Sequence, residues 1–372
     1  MRPAWAEIDL DALGRNVATI RARLSPGARY LSVVKANAYG HGSVEVARAA
    51  LNAGADWLGV ILVAEARMLR EAGIDAPILL LHEPHPEAAA ECVALALTPV
   101  VFTEQAVAAL DEAAEKAGRT VHVHIKIDTG LNRLGVPLPR LDELVNALAK
   151  SGRLEVEGVM SHFAFADEPA NTFIDTQLSR FEDGCERLRS HGIQPAIRHV
   201  ANSAATLTRS EAHFDMVRVG IAQYGLAPGP TLENAMDYAP VMALKARAAM
   251  VKRVSKGDGV SYGLRYVLER DGTIVSIPLG YADGWPRSAA GVTSVLIGGR
   301  RHRTVGTVCM DSFMADIGDF DCDVGDEVVL FGAQGNERIS AEEVAEATGT
   351  INYEVVTRVS PRIPRVYIRG NG

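Results

Sequence analysis

No stretch of the 372-residue sequence is apolar for long enough to cross a bilayer. The longest runs, such as Gly59-Val60-Ile61-Leu62-Val63-Ala64 and Ile78-Leu79-Leu80-Leu81, fall well short of the ~20 residues that a spanning helix requires. The opening segment Met1-Arg2-Pro3-Ala4-Trp5-Ala6-Glu7-Ile8-Asp9 lacks the apolar core of a secretory signal, because two acids interrupt it. Cysteine is scarce: Cys92, Cys185, Cys309 and Cys322 lie far apart, with no Cys-x-x-Cys pair. That spacing excludes a disulfide framework and reads as reduced thiols in a cytosolic protein. Positive charge is in deficit, with 38 Lys and Arg against 46 Asp and Glu and a formal net charge of -8. An acidic chain lacks the electrostatic footprint of a nucleic-acid binder. The longest basic cluster, Arg300-Arg301-His302-Arg303, reads as a solvated hairpin edge. Low-complexity segments are absent too. The expectation is a soluble, cytoplasmic protein without nucleic-acid or membrane partners.

What is present is ordinary globular composition, 48% apolar and 23% charged. At roughly 100–200 residues per domain, the length allows two or three domains, or one large barrel with an appendage. Short β-branched runs alternate with longer helical patterns from residue 29 to about 231. Strands are predicted at Tyr30–Val34, Trp57–Leu62, Ile78–Leu81, Thr98–Val101, Val121–Asp128, Leu154–His162, Ile197–Val200 and Met216–Val219, with helices between them such as Glu104–Gly118 and Asn171–Gly192. Eight such units point to a (β/α)8 barrel. A doubly wound sheet would carry a Gly-rich turn after its first strand, and none is there. Beyond about residue 235 the texture becomes short strands with turn signals, for example Lys256-Gly257-Asp258-Gly259 and Gly298-Gly299. One helix interrupts them, opened by the capping box Ser340-Ala341-Glu342-Glu343. The predicted domains are therefore a barrel over 9–235 and a mainly antiparallel β domain over 236–372, joined by strand 1–8.

Active sites of (β/α)8 barrels lie at the C-terminal ends of the strands. The first strand delivers Lys35 after the apolar run Leu31-Ser32-Val33-Val34. A desolvated ammonium loses its proton more readily and becomes a nucleophile for carbonyls, although a lysine at a strand end can equally reach out into water. Alternation along the fifth strand puts His122, His124, Lys126 and Asp128 on one face. A His-x-His pair can bind metal, but here Lys126 and Asp128 occupy the catalytic end, so no metal site is expected. An inward lysine and aspartate nonetheless need partners. The remaining strand ends supply His162, then Asn202 and Ser203, then Arg218 and Gly220. Phosphate sites often form after strands seven and eight of such barrels. Together these residues describe a phosphorylated ligand above a nucleophilic lysine. Both pyridoxal phosphate and a sugar phosphate of a Schiff-base aldolase fit.

Longer motifs narrow the choice. Val33-Val34-Lys35-Ala36-Asn37-Ala38-Tyr39-Gly40-His41-Gly42 resembles the pyridoxal-phosphate attachment signature of alanine racemases. The resemblance continues through Lys126-Ile127-Asp128-Thr129-Gly130-Leu131-Asn132-Arg133-Leu134-Gly135, Ser161-His162-Phe163-Ala164 and Ala201-Asn202-Ser203-Ala204. It extends to Val260-Ser261-Tyr262-Gly263, Gly280-Tyr281-Ala282-Asp283-Gly284, Cys309-Met310-Asp311 and Asn352-Tyr353-Glu354. It covers essentially the whole chain in order; Leu131 stands where methionine is common.

The resemblance implies a fold-type III enzyme that interconverts L- and D-alanine by two-base proton transfer. Lys35 would hold the cofactor as a Schiff base and act as one base. Tyr262, contributed by the other subunit of a homodimer, would be the second, with His162 supporting it. Arg218 matches the partner of the cofactor's pyridine nitrogen. Arg133 would contact the phenolic oxygen and, with the backbone of Met310, the substrate carboxylate. Tyr39, Asn202, Ser203, Gly220, Ile221 and Tyr353 match the cofactor and phosphate contacts. Lys126 matches a position that can carry a carbamate, which would orient Arg133. Tyr281 resembles a residue that narrows the approach to the site. The nearest alternative is a broader-specificity racemase, acting on serine for example, on the same scaffold. A decarboxylase is disfavoured by the lack of a Gly-Gly-Gly phosphate loop, and a non-catalytic pyridoxal-phosphate carrier by the β domain.

Overall fold

The computed structural model describes residues 3–369 and divides into two compact units. The barrel unit comprises Leu13–Ala38 and Ser43–Ala239. The β unit comprises the chain up to Ala12, the excursion Tyr39–Gly42, and the chain from Pro240 onward. The excursion has no counterpart in the predicted domain division. The ends of the predicted domains at residues 1–2 and 370–372 lie outside the described residues.

In the barrel unit, every predicted strand is present. After β1 (Ala4–Asp9), which belongs to the β unit, come β2 (Arg29–Val33), β3 (Trp57–Val60), β4 (Ile78–Leu80), β5 (Thr98–Val101), β6 (Val121–Asp128), β7 (Leu154–Met160), β8 (Ile197–His199) and β9 (Met216–Val219). They pair in parallel in the order β9-β2-β3-β4-β5-β6-β7-β8. The ends meet through Asp215 N donating to Arg198 O at 3.1 Å and Arg218 N to Ala201 O at 3.0 Å, so the barrel closes. Strands buried on both sides read as continuous apolar runs, which is why Ile78–Leu80 and Trp57–Val60 carry no alternation. The helices behave as their caps predict. Glu104–Ala117 starts on Thr103, whose side chain accepts from Ala106 N, and stops at Gly118 in the left-handed region. Asn171–Gly192 contains the shorter helix Phe173–Ser190.

The β unit is built on one sheet. To β1 it adds β10 (Met242–Arg247), β11 (Met250–Val254), β12 (Gly272–Ile277), β13 (Ser294–Ile297), β14 (Arg300–Val305), β15 (Phe313–Gly318), β16 (Glu327–Gln334) and β17 (Arg365–Ile368). The order is β11-β12-β15-β14-β13-β16-β10-β1-β17, antiparallel except for the parallel β1–β17 pair. The predicted run Val241–Val254 is two strands, β10 and β11, separated by Ala248 and Ala249. Ser340 caps the helix Ala341–Thr348 by accepting from Glu343 N at 3.0 Å. The excursion Tyr39–Gly42 is bound tightly within this unit. A Cβ on Gly40 would lie 2.4 Å from Val356 O, and one on Gly42 would lie 1.9 Å from the Tyr367 hydroxyl. Glycine is required at both places.

Candidate active site

Lys35 follows β2, and the strand end is fixed from below. Val33 O accepts from Gln223 Nε2 at 3.1 Å and from the Tyr224 hydroxyl at 2.8 Å, while Val34 N donates to Gly59 O at 2.8 Å. The chain then does something rare. Ala36, Asn37, Ala38 and Tyr39 all have φ of 53° or 54°, a full turn of left-handed helix closed by Ala38 N donating to Val34 O at 2.8 Å. Only asparagine among these residue types tolerates that region well, so the turn stores strain beside the lysine.

Around Lys35 the barrel mouth gathers cations. Arg218, on β9, is 3% exposed. Its guanidinium donates to Ser161 O at 2.8 Å, His199 O at 3.0 Å and Val200 O at 3.1 Å, and to the Nδ1 atoms of His162 at 3.0 Å and His199 at 3.1 Å. Lys126, on β6, is 5% exposed, and its one hydrogen bond among the described residues is a long contact, 3.4 Å, to Leu81 O. Burial, and then Arg218, Arg133 and Lys35, push its pKa down to about 8. Lys35 is lowered as well, first by burial and then by Arg133, with Glu65 opposing. Arg133 is exposed on the loop after β6. The two nearby carboxylates are already committed to backbone. Glu65 accepts from Ala36 N at 2.6 Å, Ile61 N at 2.9 Å and Leu62 N at 3.1 Å. Asp128 accepts from Gly130 N at 2.9 Å and Asn132 N at 3.1 Å. Four cations thus face two occupied acids, an arrangement that calls for an anionic ligand.

The electrostatics fix proton positions. An arginine donates only, so His162 Nδ1 must accept and its proton sits on Nε2. Burial, then Arg218, Arg133, Lys126 and Lys35, hold the His162 pKa well below the ordinary histidine value, so the ring is neutral. Beside it, Ser203 Oγ accepts from Gly220 N at 2.8 Å and Ala222 N at 3.4 Å, and Asn202 Oδ1 accepts from Ala205 N at 3.0 Å. Ile221 follows Gly220 directly, so these groups form one small cluster of amides and a hydroxyl.

Those residues fit pyridoxal phosphate: an amine with a lowered pKa for its aldehyde, a buried donor-only cation for its ring nitrogen, and amides with excess positive charge for its phosphate. His124 and His122, the possible metal pair, are separated in environment, His124 being fully buried and His122 exposed. Among the described residues no group of three or more His, Cys, Asp or Glu is placed to hold a metal ion.

The β unit holds the other predicted residues. Tyr262 is 75% exposed on a bend in which Ser261, Gly263 and Leu264 all have positive φ. The bend is tied down by Thr307 Oγ1 donating to Tyr262 O at 3.0 Å and by Ser261 Oγ donating to Thr307 O at 2.9 Å. Met310 and Tyr281 are exposed too. Gly280 allows their two loops to touch, since a Cβ there would lie 2.3 Å from Cys309 O. Tyr39 and Tyr353 face each other with ring centroids 6.3 Å apart. Sequence reasoning missed Thr307 and Gln223, whose roles are hydrogen bonds to backbone and leave no motif.

Comparison with known proteins identifies the family. The family profile "Alanine racemase, N-terminal domain" matches residues 8–228, and "Alanine racemase, C-terminal domain" matches residues 241–367. The chain is 45% identical to the alanine racemase of Symbiobacterium thermophilum, over 99% of this chain and 97% of that one. It is 47% identical to the alanine racemase of Frankia casuarinae, over 98% and 96%. The crystal structure of alanine racemase from Streptomyces lavendulae superposes with a TM-score of 0.94 at 43% identity, covering 100% of this chain and 98% of that one. Alanine racemase from Bacillus anthracis with bound L-Ala-P gives 0.95 at 39%, covering 100% and 96%. With both halves matched and relatives aligned end to end, the chain belongs to the alanine racemase family.

Proposed function

We propose that the protein interconverts L- and D-alanine with pyridoxal 5'-phosphate as cofactor, working in the cytoplasm as a homodimer with shared active sites. The observation that carries this reading is the barrel mouth: a lysine of lowered pKa among cations, with the neighbouring carboxylates of Glu65 and Asp128 spent on backbone. When bound, the cofactor supplies an aldehyde that captures an amine and a conjugated ring that withdraws electrons from Cα.

Racemisation needs a proton taken from one face of Cα and another delivered to the opposite face. Lys35 serves one face, its lowered pKa leaving a larger neutral fraction to accept a proton. Arg218 holds a donor at the ring nitrogen without surrendering its proton, because three carbonyls pin the guanidinium and its charge persists at neutral pH. Arg133, without a hydrogen-bond partner among the described residues, is free to take the phenolic oxygen and the substrate carboxylate. The backbone of Met310 joins it on that carboxylate. Ser203, Asn202, Gly220 and Ile221, with Tyr39 and Tyr353, bind the phosphate end. Lys126, its pKa lowered to about 8, has an enlarged neutral fraction whose amine adds to carbon dioxide with loss of a proton, and the resulting carbamate anion would balance Arg133 and Arg218. Tyr262 serves the second face. It acts once a second copy covers it, with His162 Nε2–H donating to its oxygen.

The test is chiral amino-acid analysis in deuterated water with pyridoxal phosphate, offering L-alanine, L-serine and L-lysine separately. Cα-deuterated D-alanine should form far faster than the other D enantiomers. Comparable turnover of serine or lysine would replace this reading with a broad-specificity racemase, and absence of exchange with all three would remove it.

A further inference from the structure

Behind Arg218, three polar groups run through the barrel interior, and the proposed chemistry leaves all three without a task. His199 and His124 are fully buried. His199 Nδ1 takes a hydrogen bond from Arg218 at 3.1 Å, and its Nε2 lies 2.8 Å from His124 Nδ1. His124 Nε2, buried and without a formed hydrogen bond, faces Glu157 Oε2 at 3.5 Å. Burial lowers the pKa of both rings, so each carries one proton and the direction of the chain is determined. Arg218 can only donate. His199 therefore accepts at Nδ1 and donates from Nε2; His124 accepts at Nδ1 and carries its proton on Nε2, toward the carboxylate.

The backbone is shaped to make this chain. In the β6–β7 ladder Val123 pairs with Val156 but His124 pairs with Gly158, which leaves Glu157 as the extra residue of a bulge. Bulges are rare in parallel pairs and re-aim a side chain. The next residue gives up its side chain altogether: a Cβ on Gly158 would lie 2.5 Å from His124 Cε1 and 2.6 Å from Nδ1. The Trp57 ring borders the same imidazole at 5.9 Å. A bulge that aims the acid and a glycine that admits the ring are two independent adjustments serving one contact.

We infer that His124 and Glu157 are positioning residues for Arg218: by fixing the tautomer of His199, they keep its Nδ1 lone pair turned to the guanidinium. With the opposite tautomer, two N–H groups would confront each other at 3.1 Å, and the guanidinium would lose the support that aims it. The inference rests on the reading that Arg218 meets the cofactor's ring nitrogen.

The test compares polarity at fixed burial in the full-length holoprotein. Glu157→Gln keeps an acceptor for His124, whereas Glu157→Lys offers only donors and so favours the reversed chain. Nitrogen-15 correlation spectra of the histidine side chains read the tautomer, alongside kcat and KM for alanine and the visible band of the bound cofactor. Glu157→Gln should keep the Nε2–H tautomer of His199 and a kcat within about twofold of wild type. Glu157→Lys should move His199 to Nδ1–H and lower kcat about tenfold, the usual cost of a lost outer partner, with KM little changed. An unchanged tautomer in Glu157→Lys, or a reversed one with unchanged kcat, overturns the inference. Should that variant not fold, His124→Asn and His124→Leu decide it. Asparagine still offers His199 an acceptor and should retain kcat, leucine should not, and equal losses overturn the proposal. If the wild type itself proves inactive on alanine, the functional reading fails separately. The tautomer and the cofactor band then decide: both shifting in Glu157→Lys supports the chain, and either one unmoved overturns it.

Discussion

The two units treat their reactive side chains in opposite ways. In the barrel, Arg218 and Lys126 are withdrawn from water; burial lowers the pKa of both, and the neighbouring cations lower that of Lys126 further. In the β unit, Tyr262, Met310 and Tyr281 stand exposed, and hydrogen bonds fix the backbone that carries them rather than the groups themselves. On the proposed reading the barrel's chemistry is set within one chain, whereas the tyrosine's is completed by a second copy. A buried reactive group shows its tuning in its own neighbours; an exposed one shows only its mounting.

The largest expected effect tests the buried half. Lys35→Ala should abolish the visible Schiff-base band and lower kcat on the order of 10,000-fold, since both attachment and one base are lost. A wild-type spectrum in that variant would remove Lys35 from the assignment. Tyr262→Phe tests the exposed half and should leave the visible band intact. It should slow Cα proton exchange of one enantiomer by about 100-fold or more, measured by deuterium incorporation from each pure enantiomer. Equal slowing of both enantiomers would mean that the two bases are not divided between the faces.

The third effect concerns stability and belongs to the barrel alone. Lys126 has an ordinary pKa of 10.5 in the unfolded chain and about 8 when folded. Between those values the unfolded state holds a proton that the folded state has shed, so stability should rise with pH across that window. Below about 8 the cost is complete, at most about 3 kcal/mol. Lys126→Met in the apoprotein, in buffer free of carbon dioxide, should recover much of that at pH 7 and flatten the slope, as read by urea unfolding. The smallest effect lies one residue from the nucleophile. Ala36→Gly should stabilise the apoprotein by about 1 kcal/mol, because glycine tolerates the left-handed region that alanine does not. A loss of stability there would show that the turn carries no strain.

Much of this was legible in the sequence. All eight barrel strands follow from short β-branched runs at regular spacing, and the inward position of Lys126 follows from alternation along β6. The cation cluster at the mouth follows from placing Lys35, Lys126 and Arg218 at strand ends. Other features had no local signal. Ala36-Asn37-Ala38-Tyr39 contains no glycine to mark a left-handed turn, so its reversed hand leaves no local signal. The bulge at Glu157 is invisible because Leu154–Met160 keeps strand composition on both sides of it. Excursion Tyr39–Gly42 is marked only by Gly40 and Gly42, whose need for close approach appears once Val356 and Tyr367 are in place.

The mirror-image turn after Lys35 also bears on the order in which the protein assembles. An unfolded Ala-Asn-Ala-Tyr segment nucleates right-handed helix if it nucleates anything, so this turn cannot act as an early seed. Its residues are divided, Ala36–Ala38 belonging to the barrel unit and Tyr39 to the β unit. A strained turn closed by the bond from Ala38 N to Val34 O should open readily, so its amides should exchange with solvent well ahead of those in the strands. The chain thus sets its reactive amine beside the stretch of backbone expected to loosen first.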